Sequence, residues 1–138
     1  MSAAQNDTSH ELPHDPQNSR FAAIDCGTNS IRLLISERTA DGRINELNRD
    51  NIIVRLGQGV DATGRFADEA LQRVDKALQI YADRMAEYGV IDVMMGATSA
   101  TRDAANREEF FDITRRHLGR VREGAVAQVI SGEQEAEL

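Results

Sequence analysis

Within six consecutive residues, Asp25-Cys26-Gly27-Thr28-Asn29-Ser30 combine a carboxylate, a glycine and a run of short polar side chains. Gly27 lets backbone come close to a ligand, Thr28, Asn29 and Ser30 offer short donors, and the amides of such a turn can converge on an anion. The chemistry this suits is phosphate binding. Asp25 adds a carboxylate of the kind that holds hydrated Mg2+ beside phosphate oxygens. A second segment, Gly96-Ala97-Thr98-Ser99-Ala100-Thr101-Arg102-Asp103, sets three hydroxyls next to a guanidinium that can grip phosphoryl oxygens in bidentate fashion. A third, Ser131-Gly132-Glu133-Gln134-Glu135, brings two carboxylates into what reads as a first helical turn.

Each segment also has a plainer explanation. The first can be a hairpin turn chosen for backbone geometry. In the second, Thr98 or Ser99 can cap a helix while Arg102 joins a surface ion pair. In the third, Glu133 and Glu135 can complement a helix dipole. Two familiar phosphate loops are excluded. A Walker loop needs Lys followed by Ser or Thr, a dinucleotide loop needs a third glycine, and both lead into a helix. Here Ile31, Leu33 and Ile35 alternate with Arg32 and Leu34, so a strand follows.

The elements that must position these segments are legible from periodicity. Strands are expected at about 20–25 and 31–37, with Ala40-Asp41-Gly42-Arg43 turning into a third at about 44–55. Leu56 to Arg65 reads as a glycine-bearing loop. From Ala67 to Tyr88, apolar residues recur every three or four positions, predicting a long helix ended near Gly89. Val90 to Met95 is a short strand. Asn106-Arg107-Glu108-Glu109 reads as a capping box opening a helix to about Leu118, and Gly124 to Ile130 as a last strand. The predicted fold is α/β: an antiparallel three-strand meander extended by parallel strands through helical crossovers, with flanking helices. Ligands of open α/β sheets gather at the carboxyl ends of parallel strands, where the second and third segments lie. The first joins them if its hairpin points the same way.

In this order and spacing, the three segments, with Asn106, resemble the exopolyphosphatase/guanosine pentaphosphate phosphohydrolase family, over about Arg20 to Leu138. The resemblance implies a ribonuclease-H-like mixed sheet of the sugar kinase, actin and chaperone ATPase superfamily. It implies that Glu135 is the general base, that Arg102 binds the phosphate under attack, and that Asp25 helps place Mg2+. Gly27, Thr28, Asn29 and Ser30 would form the first phosphate loop, with Thr98 and Ser99 as further phosphate ligands. Choosing Glu135 over its neighbours Glu133 and Glu137 rests on the family likeness alone. The implied substrates are inorganic polyphosphate or guanosine pentaphosphate, which these motifs do not separate.

The family's second glycine-rich loop has no counterpart here. Residues 20–138 are therefore expected to be a first subdomain, truncated at its last helix and nearly inactive without the remaining half of the same protein. Its uncovered apolar surface could also be buried in a homodimer. A superfamily kinase would use Asp25 and the first loop in the same way, although the Glu135 motif argues against it. A phosphate-sensing module without turnover is the reading of another class.

Composition bounds the rest. A 138-residue chain, 41% hydrophobic, can bury one core, and with four Phe, two Tyr and no Trp that core must be mostly aliphatic. The net charge of −7 argues against general nucleic-acid binding. Residues 1–19, polar and holding both prolines, read as a disordered arm in which Pro13 disfavours a helical His10/His14 metal pair. Neither a membrane span nor a signal peptide is visible, and the lone Cys26 fits a reducing cytoplasm. Cys26 has no histidine nearby in sequence to activate it as a nucleophile.

Overall fold

Alternation dictates the central hairpin. Ala22, Ile24 and Cys26 of β1 (Ser19–Cys26) and Ile31, Leu33 and Ile35 of β2 (Ser30–Arg38) are buried, while Ala23, Asp25 and Arg32 point the other way. The computed structural model describes residues 18–130, so most of the expected arm and all of the third motif, including Glu135, lie outside the described residues. β1 and β2 pair antiparallel from Ser19↔Arg38 to Cys26↔Ile31. β3 (Ile44–Ile53) returns antiparallel along β2, with a bulge at Ile35/Ser36. β4 (Asp92–Ala97) lies parallel to β1, and the two-residue β5 (Gln128–Val129) lies parallel to β4. The sheet order is β3-β2-β1-β4-β5, a meander extended by parallel strands as its sequence predicts.

A one-turn helix α1 (Val60–Thr63) sits inside the predicted loop, with Gly59 and Gly64 at its ends both left-handed. α2 (Asp68–Glu87) buries Ala70, Leu71, Val74, Ala77, Leu78, Tyr81, Ala82 and Met85, one stripe at helical spacing. It packs on β2 and on α4 (Arg107–Leu118), and these elements with the inward strand residues form one core. The Tyr81 hydroxyl donates to the Ile31 carbonyl at 2.6 Å, fixing α2 to the strand that leaves the phosphate-like turn. The buried Arg20 pairs with Glu37 at 3.0 Å and donates to the Tyr88 carbonyl, so the other end of the hairpin is tied to the end of the long helix. On the opposite sheet face Met94 is 69% exposed.

Three expectations need correction. β4 runs past Met95 through Gly96 and Ala97, because these small residues still pair with Asp25 and Cys26 on one side and Gln128 and Val129 on the other. A Cβ on Gly96 would come within 2.9 Å of the tip of the Ile130 side chain, so the glycine leaves room for that side chain over the strand. The last strand does not begin at Gly124. Ala127 N–H donates to the Thr114 hydroxyl of α4 at 3.1 Å instead of to a neighbouring strand, and the ladder is confined to Gln128–Val129. The capping box at Asn106 does not form either. Asn106 occupies the N-cap position, but its side chain reaches the backbone of Phe66, accepting from the N–H at 2.8 Å and donating to the carbonyl at 3.0 Å.

Candidate functional site

The hairpin tip is closed by one bond, from Gly27 N–H to the Ser30 carbonyl at 3.0 Å. Between them Thr28 and Asn29 are exposed, and their carbonyls are already engaged. Asn29 accepts from the amides of Val54 and Arg55, and Thr28 accepts from that of Gly57, each at 2.9 Å. The Thr28 and Asn29 amides, by contrast, have no acceptor among the described residues. The turn therefore turns its acceptors into the protein and leaves its donors for an anion. Asp25 is exposed, lies across the ladder from Arg32, and its carboxylate has no hydrogen bond or ion pair among the described residues.

Cys26 is fully buried between these groups. Burial first, and the charge of Asp25 second, push its thiol up to about 12, so it is not a thiolate nucleophile. Its place is in the core, as the absence of a nearby histidine suggests.

The second motif leaves the sheet beside the first. Because β4 is parallel to β1 with Cys26 opposite Ala97, Gly27-Thr28 and Thr98-Ser99 depart from adjacent strands at the same sheet end. Thr98 is the N-cap residue of α3 (Ser99–Asp103), yet its side chain makes no capping bond. Arg102 is exposed and has no ion pair among the described residues, so neither of the plainer roles for this segment is seen. Thr101 is buried and belongs to the packing. Ile130 N–H donates to the Ala97 carbonyl at 2.9 Å, so the last described residue reaches this same sheet end. Two of the three motifs are thus brought together, and Glu135 lies outside the described residues.

A third loop joins them that was not singled out for chemistry. Thr28, Asn29, Arg55, Gly57 and Gln58 line a cleft of about 540 Å³ at the hairpin tip. Arg73 of α2 holds this loop, donating to the Val54 carbonyl at 2.7 Å and to Gln58 Oε1 at 2.5 Å. The signal for it in the sequence is the glycine-bearing stretch Leu56-Gly57-Gln58-Gly59-Val60, which is also part of the family resemblance.

For Mg2+, the donor set is the test. Asp25 is an accessible carboxylate at the foot of the turn, a second, Asp61, stands in the cleft lining, and no three His, Cys, Asp or Glu cluster into a cage among the described residues. That suits an ion which keeps its waters and takes one or two carboxylates plus substrate oxygens.

A family model described as the Ppx/GppA phosphatase family matches residues 34–138. The chain belongs to that family. Exopolyphosphatase 2 of Mycobacterium tuberculosis is 52% identical over 122 residues, covering 86% of this chain and 38% of that protein. The crystal structure of the Aquifex aeolicus Ppx/GppA family member superposes with a TM-score of 0.76 at 34% identity, over 86% of this chain and 37% of that one. The chain therefore spans well under half the length of the Ppx/GppA relatives it matches. T. thermophilus RuvC, at 9% identity and a TM-score of 0.50 over 86% of this chain and 69% of that one, shares the fold alone. The sheet order is accordingly the ribonuclease-H-like arrangement that the resemblance implies. No helix among the described residues is long and apolar enough to cross a membrane.

Proposed function

We propose that this chain is the first ribonuclease-H-like subdomain of an exopolyphosphatase that releases terminal phosphate from inorganic polyphosphate. The observation that carries the reading is the hairpin tip. Its Thr28 and Asn29 carbonyls are bonded inward, the amides of the same two residues have no acceptor among the described residues, and Asp25 and the Thr98–Arg102 segment stand at the same sheet end. The identity with a mycobacterial exopolyphosphatase favours polyphosphate as substrate.

In this reading the terminal phosphoryl group lies against the Thr28 and Asn29 amides and the hydroxyls of Ser30, Thr98 and Ser99. Arg102 neutralises charge on the oxygens of the phosphorus under attack. Glu135 accepts a proton from water as its oxygen bonds to that phosphorus. The bridging P–O bond breaks, giving orthophosphate and a chain shorter by one residue. Mg2+ beside Asp25 would supply further charge neutralisation of the phosphate oxygens. The remaining length of the protein would complete the cradle, so the 138-residue chain alone should turn over slowly or not at all.

The test is phosphate release by the full-length protein from long-chain polyphosphate and from guanosine pentaphosphate, with and without Mg2+, beside Glu135→Gln. Metal-dependent release lost in Glu135→Gln supports the reading, and the two rates identify the substrate. Binding of either compound without release would instead make the protein a sensing module.

A further inference from the structure

We propose that Arg55 is a substrate ligand, binding the phosphoryl group next to the one held by the hairpin tip. This deepens the hydrolase reading and rests on it for the identity of the substrate. Arg55 is the one non-glycine residue among those described with a left-handed backbone, at φ 53°. Its amide and that of Val54 both donate to the Asn29 carbonyl at 2.9 Å, which pins the residue against the turn. Its own carbonyl accepts from Gln58 N–H at 3.1 Å and from Arg73 at 3.5 Å. The backbone is thus fully committed, while the side chain is exposed, lines the cleft with Thr28 and Asn29, and has no hydrogen bond or ion pair among the described residues.

Arg73, nearby, spends its guanidinium on the loop itself and is unavailable to a ligand. Among the described residues Arg55 is the only cation in the cleft lining, and the lining carboxylate, Asp61, is not paired with it. Glycine would take this backbone conformation without strain, and glycines stand two and four positions further on. Backbone geometry therefore gives no reason for arginine here. A polyanion lying along the cleft does, because the free amides of the turn carry only partial charge and the next phosphoryl group needs a full one.

The test uses Arg55→Gly and Arg55→Lys in the full-length protein, with two readouts. Calorimetry with inorganic tripolyphosphate reads the site without requiring turnover. Arg55→Gly should weaken binding about ten- to hundredfold, the usual weight of a charge-assisted hydrogen bond, while its Tm is equal or higher because strain is relieved. Arg55→Lys should fall between. In turnover of long-chain polyphosphate, Arg55→Gly should raise KM by a similar factor and leave kcat within about threefold, since a neighbouring phosphoryl group is bound alike in ground and transition states. Unchanged tripolyphosphate affinity in Arg55→Gly, or a loss matched by a lower Tm, overturns the proposal. If binding depends on Arg55 but no phosphate is released by the unmodified protein, the site stands and the hydrolase reading fails. If the unmodified protein does not bind tripolyphosphate, the site falls.

Discussion

Replacing Asn106 separates two roles that one residue type can play. As an N-cap, asparagine is worth about 1 kcal/mol, and serine replaces it without loss. In this fold Asn106 is instead a clamp. Its amide group satisfies both the N–H (2.8 Å) and the carbonyl (3.0 Å) of Phe66, 40 residues away in sequence, with Asn106 9% and Phe66 3% exposed. Truncation to alanine orphans two buried backbone groups, each costing about 1–3 kcal/mol. Water entering the vacated space recovers part of this, so we expect a net loss of about 3 kcal/mol. With a urea m-value of about 1–3 kcal/mol/M for a domain of this size, the unfolding midpoint should fall by about 1–3 M. Asn106→Ser is the decisive variant, because serine caps well but is too short to bridge both Phe66 groups. Urea denaturation of the 138-residue chain, followed by circular dichroism, reads both variants against the parent. The clamp predicts that Ser and Ala lose stability alike. A serine variant as stable as the parent, with alanine costing only about 1 kcal/mol, would refute it.

Further outcomes follow from the core and from one surface pair. Tyr81→Phe removes the 2.6 Å bond to the Ile31 carbonyl and should cost about 1 kcal/mol, read as a lower Tm. Cys26, fully buried and with its thiol pushed up to about 12, should resist a thiol-specific reagent until the chain opens, so at fixed pH its labelling rate should rise with denaturant in step with unfolding. Labelling faster than opening would contradict this. Asp75 is held below the usual carboxylate range, first by its hydrogen bond with His117 at 2.5 Å and then by Arg116. A depressed folded pKa stabilises above the ordinary aspartate pKa and loses that contribution as pH falls through the folded value. Urea midpoints of the parent and Asp75→Asn should therefore differ near neutrality and converge in acid, and a constant gap would show that the carboxylate charge is not involved.

The strands and the long helix were legible because their signals are local. Alternation from Ala22 to Ile35 and the three- and four-residue spacing from Ala70 to Met85 report burial on one face, whatever packs there. Boundaries failed where a distant partner decided them. β4 continues through Gly96-Ala97 because neighbours on both sides still pair with it, and residues before Gln128 are held by Thr114 of α4 instead of by a strand. Asn106 shows the limit most clearly. An N-cap and a long-range clamp both call for a short amide before an acidic turn, so local spacing cannot distinguish them.

The site divides along the same line, and its missed part was recoverable from topology. The tips at Gly27 and Thr98 are announced by residue type. Arg55 carries no such signature, since an arginine after an apolar strand is ordinary surface. Its importance comes from register, because β3 runs antiparallel to β2 and Ile53 lies opposite Ser30, so whatever follows β3 must land on the hairpin tip. A meander of three strands always returns the exit of its third strand to the turn between its first two. Once Asp25 to Ser30 is read as a phosphate turn on such a meander, the Val54–Gln58 loop is its obligatory neighbour. The side chain to examine there is the one cation that the loop's own hydrogen bonds leave unused.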